Sequence, residues 1–294
     1  MANYSNMQTI TTTAVFNMKG EKLLDLGNAK GSLFNSYTLP RKSFIRVKSS
    51  DGIFDLPVTI TYPLNFDSTK QYPVLMLVYG GPGAGKVYDE WNTSLAETYW
   101  AQQGVIQVAA DNRSSGHFGK KGMDYIYRQT GIFEIEDFMA VGRWLKKQPW
   151  VHPSRLCITG FSFGGYMTMM ALTYGADVFD YGVAYYGTTD WRWYDTPYTE
   201  RYMGSPADNR EGYNKTAVNT YAHQYKGMLR IIHGLSDNNV HPQNILEVAN
   251  KLQELGKHFE LILYPGVKHG FTGKKWLHSK KELAIFINRY LLQP

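Results

Sequence analysis

The stretch Leu156-Cys157-Ile158-Thr159-Gly160-Phe161-Ser162-Phe163-Gly164-Gly165-Tyr166-Met167 decides how the rest of the chain is read. An apolar run meets a G-x-S-x-G turn, and Gly165-Tyr166-Met167 opens a helix. In a strand-to-helix turn of this kind the serine is forced into a strained backbone conformation that lifts its hydroxyl clear of the sheet. Glycines are required two residues before and two after it, because a Cβ at either place would collide with the neighbouring strand and helix. An ordinary turn with a capping serine would not demand both. Ser162 is therefore the candidate nucleophile.

Outward from this turn, strands alternate with helices. Residues 44–48 and 56–62 are short β-branched runs separated by Asp51-Gly52, which predicts an antiparallel pair at a sheet edge. Residues 72–79 form a near-continuous apolar run, as expected of a strand buried on both faces. Helices are predicted around 90–103, 132–148, 164–174, 242–255 and 275–291, and strands at 105–110, 155–161, 181–186, 229–233 and 259–264. Such alternation argues for a mostly parallel sheet covered by helices on both faces. Residues 1–40 differ: they are polar, rich in Thr, Asn and Gly, and only weakly alternating, as at 8–16, with a further short strand expected at 21–26. They read as an N-terminal arm, with one α/β domain over 41–294.

Composition narrows the class. The 294 residues are 43% hydrophobic and 15% aromatic, which excludes a disordered chain, and the single Cys157 excludes a disulfide scaffold. The longest apolar runs, such as 74–78, fall far short of a membrane span. The net charge of +6 comes from scattered lysine pairs, as at Lys120-Lys121 and Lys274-Lys275, not from a basic and aromatic stripe. No nucleic-acid partner is expected. The first thirty residues carry neither a basic nor an apolar leader segment, so no signal peptide is expected among them.

A nucleophilic serine needs a base, and the base an orienting acid, in the chain order Ser, Asp, His. Of the eight histidines, His117 and His152 precede the serine, His223 and His258 lack turn context, and His278 lies in a helical pattern. His233 ends a buried strand, where a structural role fits better, and His241 follows Asn239-Val240 as a packing or hydrogen-bonding residue. His269 remains, in a strand-end loop before Gly270, where catalytic groups of open α/β sheets collect. Asp237 is the carboxylate between the strand ending at His233 and the next helix. The oxyanion donors are expected to be the N–H of Phe163 and a group from the loop Tyr79-Gly80-Gly81-Pro82-Gly83. Tyr79 itself is either a phenol donor or a buried aromatic at a strand end. The same loop nearly spells a phosphate-binding motif, Gly80-x4-Gly85-Lys86, but residue 87 is valine where a Ser or Thr is needed.

Together, residues 160–166 (GFSFGGY), Tyr79-Gly80-Gly81-Pro82, 198–204 (YTERYMG), 233–241 (HGLSDNNVH) and His269-Gly270 resemble the catalytic domain of the dipeptidyl peptidase IV branch of the prolyl oligopeptidase family. The resemblance runs from about residue 40 to the C-terminus. It implies an α/β-hydrolase fold and a serine peptidase that releases dipeptides after a penultimate proline or alanine. It implies Ser162, Asp237 and His269 as nucleophile, acid and base, and Tyr79 with Phe163 as the oxyanion hole. Trp191, Tyr194, Tyr198 and Val240 match walls of the proline pocket, and Asn239 a residue holding the carbonyl before the proline. Without the resemblance, residues 191–202 read equally well as an aromatic packing cluster.

The resemblance implies no cofactor and no metal. It implies a preceding β-propeller in the full-length form, of which residues 1–40 resemble the end, and export by a signal upstream of them. Peptides are the expected partners, and a homodimer is compatible with it. Asp111-Asn112-Arg113-Ser114-Ser115-Gly116 departs from a more glycine-rich stretch and Pro242 from an aromatic, changes expected to loosen or reshape the site. Two rivals stay open: a broad esterase or aminoacyl hydrolase, and a catalytically silent fragment that self-associates.

Overall fold

The apolar runs pair into one large sheet in the computed structural model, which describes residues 1–293. Its strands are β4 (Lys42–Lys48), β5 (Asp55–Thr61), β6 (Tyr72–Val78), β7 (Ile106–Ala110), β8 (Val151–Phe161), β9 (Tyr181–Tyr185), β10 (Met228–Gly234) and β11 (Glu260–Tyr264). They follow β1 (Ala2–Tyr4), β2 (Thr12–Phe16) and β3 (Lys22–Asn28), which form a separate antiparallel three-stranded sheet. The eight-stranded sheet runs in the order β11-β10-β9-β8-β6-β7-β5-β4. Pairing is parallel from β7 to β11 and antiparallel only where β5 meets β4 and β7. This is the α/β-hydrolase fold.

Among the described residues, eight α-helices accompany the strands: α1 (Leu95–Gln102), α2 (Gly119–Met123), α3 (Ile132–Lys146), α4 (Phe163–Thr173), α5 (Thr196–Met203), α6 (Arg210–Thr216), α7 (Gln243–Glu254) and α8 (Gly273–Ile287). The two-residue period of each strand sorts its side chains between two cores. Val74, Met76, Leu156, Ile158 and Ala184 join Phe138 of α3, Met170 of α4 and Ile245 of α7 on one face. Leu75, Cys157, Val183 and Tyr185 join Trp100 of α1 and Phe286 of α8 on the other. Each fully buried large side chain contributes about 1.5–3 kcal/mol, so both faces hold the central strands firmly. The exception is Leu77, expected inside but 47% exposed at the C-terminal end of β6. It lies outside the cluster that α1 and α8 make with Leu75.

Several boundaries move for local reasons. The first helix begins at Leu95, not near residue 90, because the Ser94 hydroxyl accepts the N–H of Glu97 and caps it. Strand β8 starts at Val151 because Val151 is already paired with Tyr72. Residues 191–202, whose aromatics read as a packing cluster or as pocket walls, run into α5, and α6 forms where no element was predicted; Asp195 and Asn209 cap the two helices. The last helix ends at Ile287 and continues as a wider π turn over Asn288–Leu292.

Candidate active site

Strand order creates the site. From β6 the chain crosses to β7 on one side, then returns to β8 on the other, leaving a crevice at the C-terminal ends of β6 and β8. Tyr79 follows β6 and Ser162 follows β8, so the two face each other across this switch point.

Ser162 adopts φ 57° and ψ −116°, in the left-handed half of backbone space that costs a non-glycine residue about 1–3 kcal/mol. The surroundings enforce it. Its N–H donates to the Tyr185 carbonyl at 2.9 Å, and its carbonyl accepts the Tyr166 N–H at 3.0 Å. A Cβ on Gly160 would stand 2.5 Å from both the Gly164 carbonyl carbon and the Val78 oxygen, and one on Gly164 would run into the same Val78 carbonyl. The helix that follows is apolar on all sides and buried at every position from Phe163 to Thr173, which anchors the turn from behind.

His269 Nε2 lies 3.0 Å from Ser162 Oγ, and His269 Nδ1 lies 2.8 Å from Asp237 Oδ2. The carboxylate can only accept, so Nδ1 carries the proton and Nε2 presents its lone pair to the serine hydroxyl. Burial pushes the Asp237 carboxyl up, but the bonds from His269 and from the N–H groups of Asn239 and Val240, at 2.9 and 3.0 Å, outweigh it. The net result lies below the usual carboxylate range. A charged acid is thereby kept beside the imidazole.

The Phe163 N–H opens α4 at its first position and has no preceding helical carbonyl to bond. The Tyr79 ring folds back over Gly81, where a Cβ would be 2.6 Å from ring carbon Cε1. Burial raises the Tyr79 phenol above its ordinary value, so it remains a protonated donor. The near phosphate-binding motif leads into no helix: residues 81–94 are irregular, and Lys86 Nζ sits 5.2 Å from the Tyr79 ring centroid.

A small pocket, about 320 Å³ with its mouth, is lined by Tyr79, Ser162, Phe163, Thr188, Trp191, Tyr194, Tyr198 and Val240. Trp191 stacks on Tyr198 at 26° with centroids 6.0 Å apart, and Tyr194 meets Tyr198 edge-on at 89° and 5.4 Å. Asn239 stands at the rim, its Oδ1 accepting the Tyr194 hydroxyl at 3.0 Å. All ten residues singled out in the sequence thus gather around one opening.

Others there were not anticipated. Tyr186, at φ 35°, packs edge-on against the His269 ring at 4.7 Å. Thr188 lines the pocket. His233, expected in a structural role, is buried and donates to the Val240 carbonyl at 2.9 Å. Tyr186 follows β9 at the same sheet edge that singled out His269, a signal that could have found it.

Both departures are held by local contacts. Asn112 donates to the Gly80 carbonyl at 2.8 Å, and buried Arg113 is gripped by both oxygens of Asp137 and by Asp51. Pro242 immediately precedes α7 with helical dihedrals, a position where proline's missing N–H costs nothing.

Sheet order, serine turn and the hydrogen-bonded Ser-His-Asp chain define an α/β-hydrolase. Residues 91–293 match the prolyl oligopeptidase family, and the chain belongs to it. It is 38% identical over 253 residues to a "Probable dipeptidyl-aminopeptidase B" of Arthroderma gypseum, covering 85% of this chain and 27% of that protein. A protein of the same name from Trichophyton verrucosum is 36% identical over 267 residues, covering 88% of this chain and 29% of the other. The crystal structure of Porphyromonas gingivalis dipeptidyl peptidase 4 superimposes with a TM-score of 0.90 at 33% identity, covering 98% of this chain and 41% of that one. The chain therefore spans little more than a quarter of the length of the curated relatives it matches.

Proposed function

We propose that this chain is the catalytic domain of a serine peptidase that releases N-terminal dipeptides by cleaving after a penultimate proline or alanine. The carrying observation is the Ser162–His269–Asp237 chain, at 3.0 and 2.8 Å, opening directly onto the Trp191–Tyr194–Tyr198 box. In this reading His269 Nε2 takes the hydroxyl proton as Ser162 Oγ attacks the carbonyl carbon. The tetrahedral oxyanion is met by the Phe163 N–H and the Tyr79 hydroxyl. His269 then hands its proton to the leaving amine, and the acyl-enzyme is hydrolysed by water activated at the same nitrogen. A flat apolar ring suits an aromatic slot that a bulkier side chain would not enter. The Asn239 amide, held through its oxygen by Tyr194, has its N–H groups available for the carbonyl preceding the proline.

Residues 1–40 are read as the end of a preceding domain, the β-propeller of the full-length form. Strand β3 supports this: all seven of its residues are exposed, with Leu23, Leu24 and Leu26 at 63%, 57% and 51%. One observation favours a second reading, a broader esterase or aminoacyl hydrolase. The eight residues lining the pocket include no carboxylate that could read a substrate's free ammonium. If the uncovered apolar strand instead drives association of an inactive chain, light scattering would report oligomers that a serine-directed probe fails to label.

The deciding experiment is arylamine release from Gly-Pro-arylamide, blanked with Ser162→Ala, beside the N-acetylated substrate. Ser162→Ala should lower kcat by roughly a million-fold. Selective turnover of the free-amine substrate supports a dipeptidyl peptidase, equal turnover the broader hydrolase. No serine-dependent release from either, with intact ester hydrolysis, would sink the proline-pocket reading.

A further inference from the structure

One peptide group beneath the aromatic pocket is held at both ends. The N–H of the Thr130–Gly131 peptide donates to Glu134 Oε2 at 2.9 Å, while its carbonyl accepts the Trp191 indole N–H at 3.0 Å. A peptide group is planar, so any rotation that frees the N–H also turns the carbonyl away from the indole. Gly131 stands at φ +112°, where a Cβ would lie 2.6 Å from Tyr166 Cε1, so no side chain on this residue can help to fix the unit. The Tyr166 hydroxyl, 3.4 Å from the Thr130 carbonyl, has its better acceptor in the Thr216 carbonyl at 2.7 Å.

Glu134 is an expensive residue to keep there. It is fully buried in the first turn of α3, and Oε1 has no hydrogen-bond partner among the described residues. Capping a helix does not by itself call for a buried acid: an exposed one would cap as well, with its second oxygen in water. The cap is the bond to Gly131 itself, and the other end of the capped amide carries a pocket wall, so one carboxyl serves helix and pocket together.

We propose that Glu134 is a positioning residue of the aromatic pocket: by holding the Thr130–Gly131 amide it fixes the Trp191 indole against which Tyr198 stacks. The assignment rests on the pocket being the substrate's proline site. Burial raises the Glu134 carboxyl to about 8, with Asp137 adding to the rise and backbone N–H bonds and Arg113 opposing it. Oε2 accepts the Gly131 N–H whether the group is charged or protonated, so a neutral amide of the same shape should serve.

The test compares Glu134→Gln, Glu134→Ala and the milder Glu134→Asp. Three readouts are taken: KM and kcat for Gly-Pro-arylamide, turnover of p-nitrophenyl acetate, and exchange of the Trp191 indole proton, its resonance assigned by its loss in Trp191→Phe. Glu134→Gln should stay within about threefold of wild type. Glu134→Ala should raise the Gly-Pro KM about tenfold, the worth of one buried hydrogen bond, with acetate turnover unchanged and the indole proton exchanging freely. If Glu134→Ala does not fold, Glu134→Asp, one methylene too short to reach Gly131, decides on the same readouts. Equal losses on both substrates, or an indole proton as protected as in wild type, would overturn the proposal. Should wild type ignore Gly-Pro-arylamide while the indole still responds to residue 134, the proline-site reading fails and the structural coupling stands.

Discussion

The two sides of the pocket are held by different means. On the triad side, backbone does the holding: Ser162 is locked by glycine contacts and main-chain bonds, and Asp237 accepts two main-chain N–H groups besides His269. On the aromatic side, rings lean on rings, and Trp191 is tied to the scaffold by its bond to Thr130. Two buried carboxyls express the difference. Asp237, with three donors, lies below the usual carboxylate range; Glu134, with one oxygen unpartnered, is pushed up to about 8. The first is built to stay ionised beside the His269 imidazole. The second needs only a lone pair aimed at one amide.

This contrast can be broken most sharply at Asp237. Asp237→Asn keeps shape and packing but offers a donor where His269 Nδ1 needs an acceptor, which favours the wrong tautomer. If Asp237 plays the orienting acid, kcat should fall about 10⁴-fold, with KM for Gly-Pro-arylamide nearly unchanged because the aromatic wall is untouched. A loss of less than tenfold would remove Asp237 from that role. Next in size is Tyr79→Phe, which deletes one hydroxyl and leaves the ring on Gly81. A loss of a hundredfold or more in kcat is expected if the phenol meets the oxyanion. An unchanged kcat would return Tyr79 to the status of a buried aromatic.

The two sides also differ in how far the sequence discloses them. The serine turn is legible because its constraints are local: Gly160 and Gly164 lie within two residues of Ser162, and their missing side chains answer contacts with β6 and α4. Strands are legible because each buried run carries a two-residue period between turns, as at 72–79. The Thr130–Gly131 support could not be read that way. Its bond to Trp191 joins residues 61 apart in sequence, and neither Thr130 nor Glu134 stands out in its segment. Helix α5 was hidden for a related reason: Tyr198 and Tyr202 dominate the stretch, while the Asp195 cap and nearby Pro197 that start it are modest signals.

The last prediction concerns stability and separates the two carboxyls by sign. An unfolded chain releases a glutamate proton near pH ~4.3. The folded chain holds the Glu134 proton until about pH 8. Between those values the native state binds more protons than the unfolded one, so this group makes stability fall as pH rises, by up to about 1.4 kcal/mol per pH unit, and the fall levels off above the folded value. Asp237 works in the opposite sense, contributing stability above the usual carboxylate range that is lost as pH drops through its lowered folded value. Glu134→Gln deletes one slope and leaves the other. Urea midpoints measured for wild type and Glu134→Gln from pH 5 to 9 should therefore diverge in favour of the variant as pH rises, then run parallel once Glu134 has ionised. Parallel curves throughout would mean that Glu134 is charged across the whole range. Arg113 and the Gly131 N–H would then outweigh burial, and the aromatic side would be held by the same kind of fixed charge as the triad.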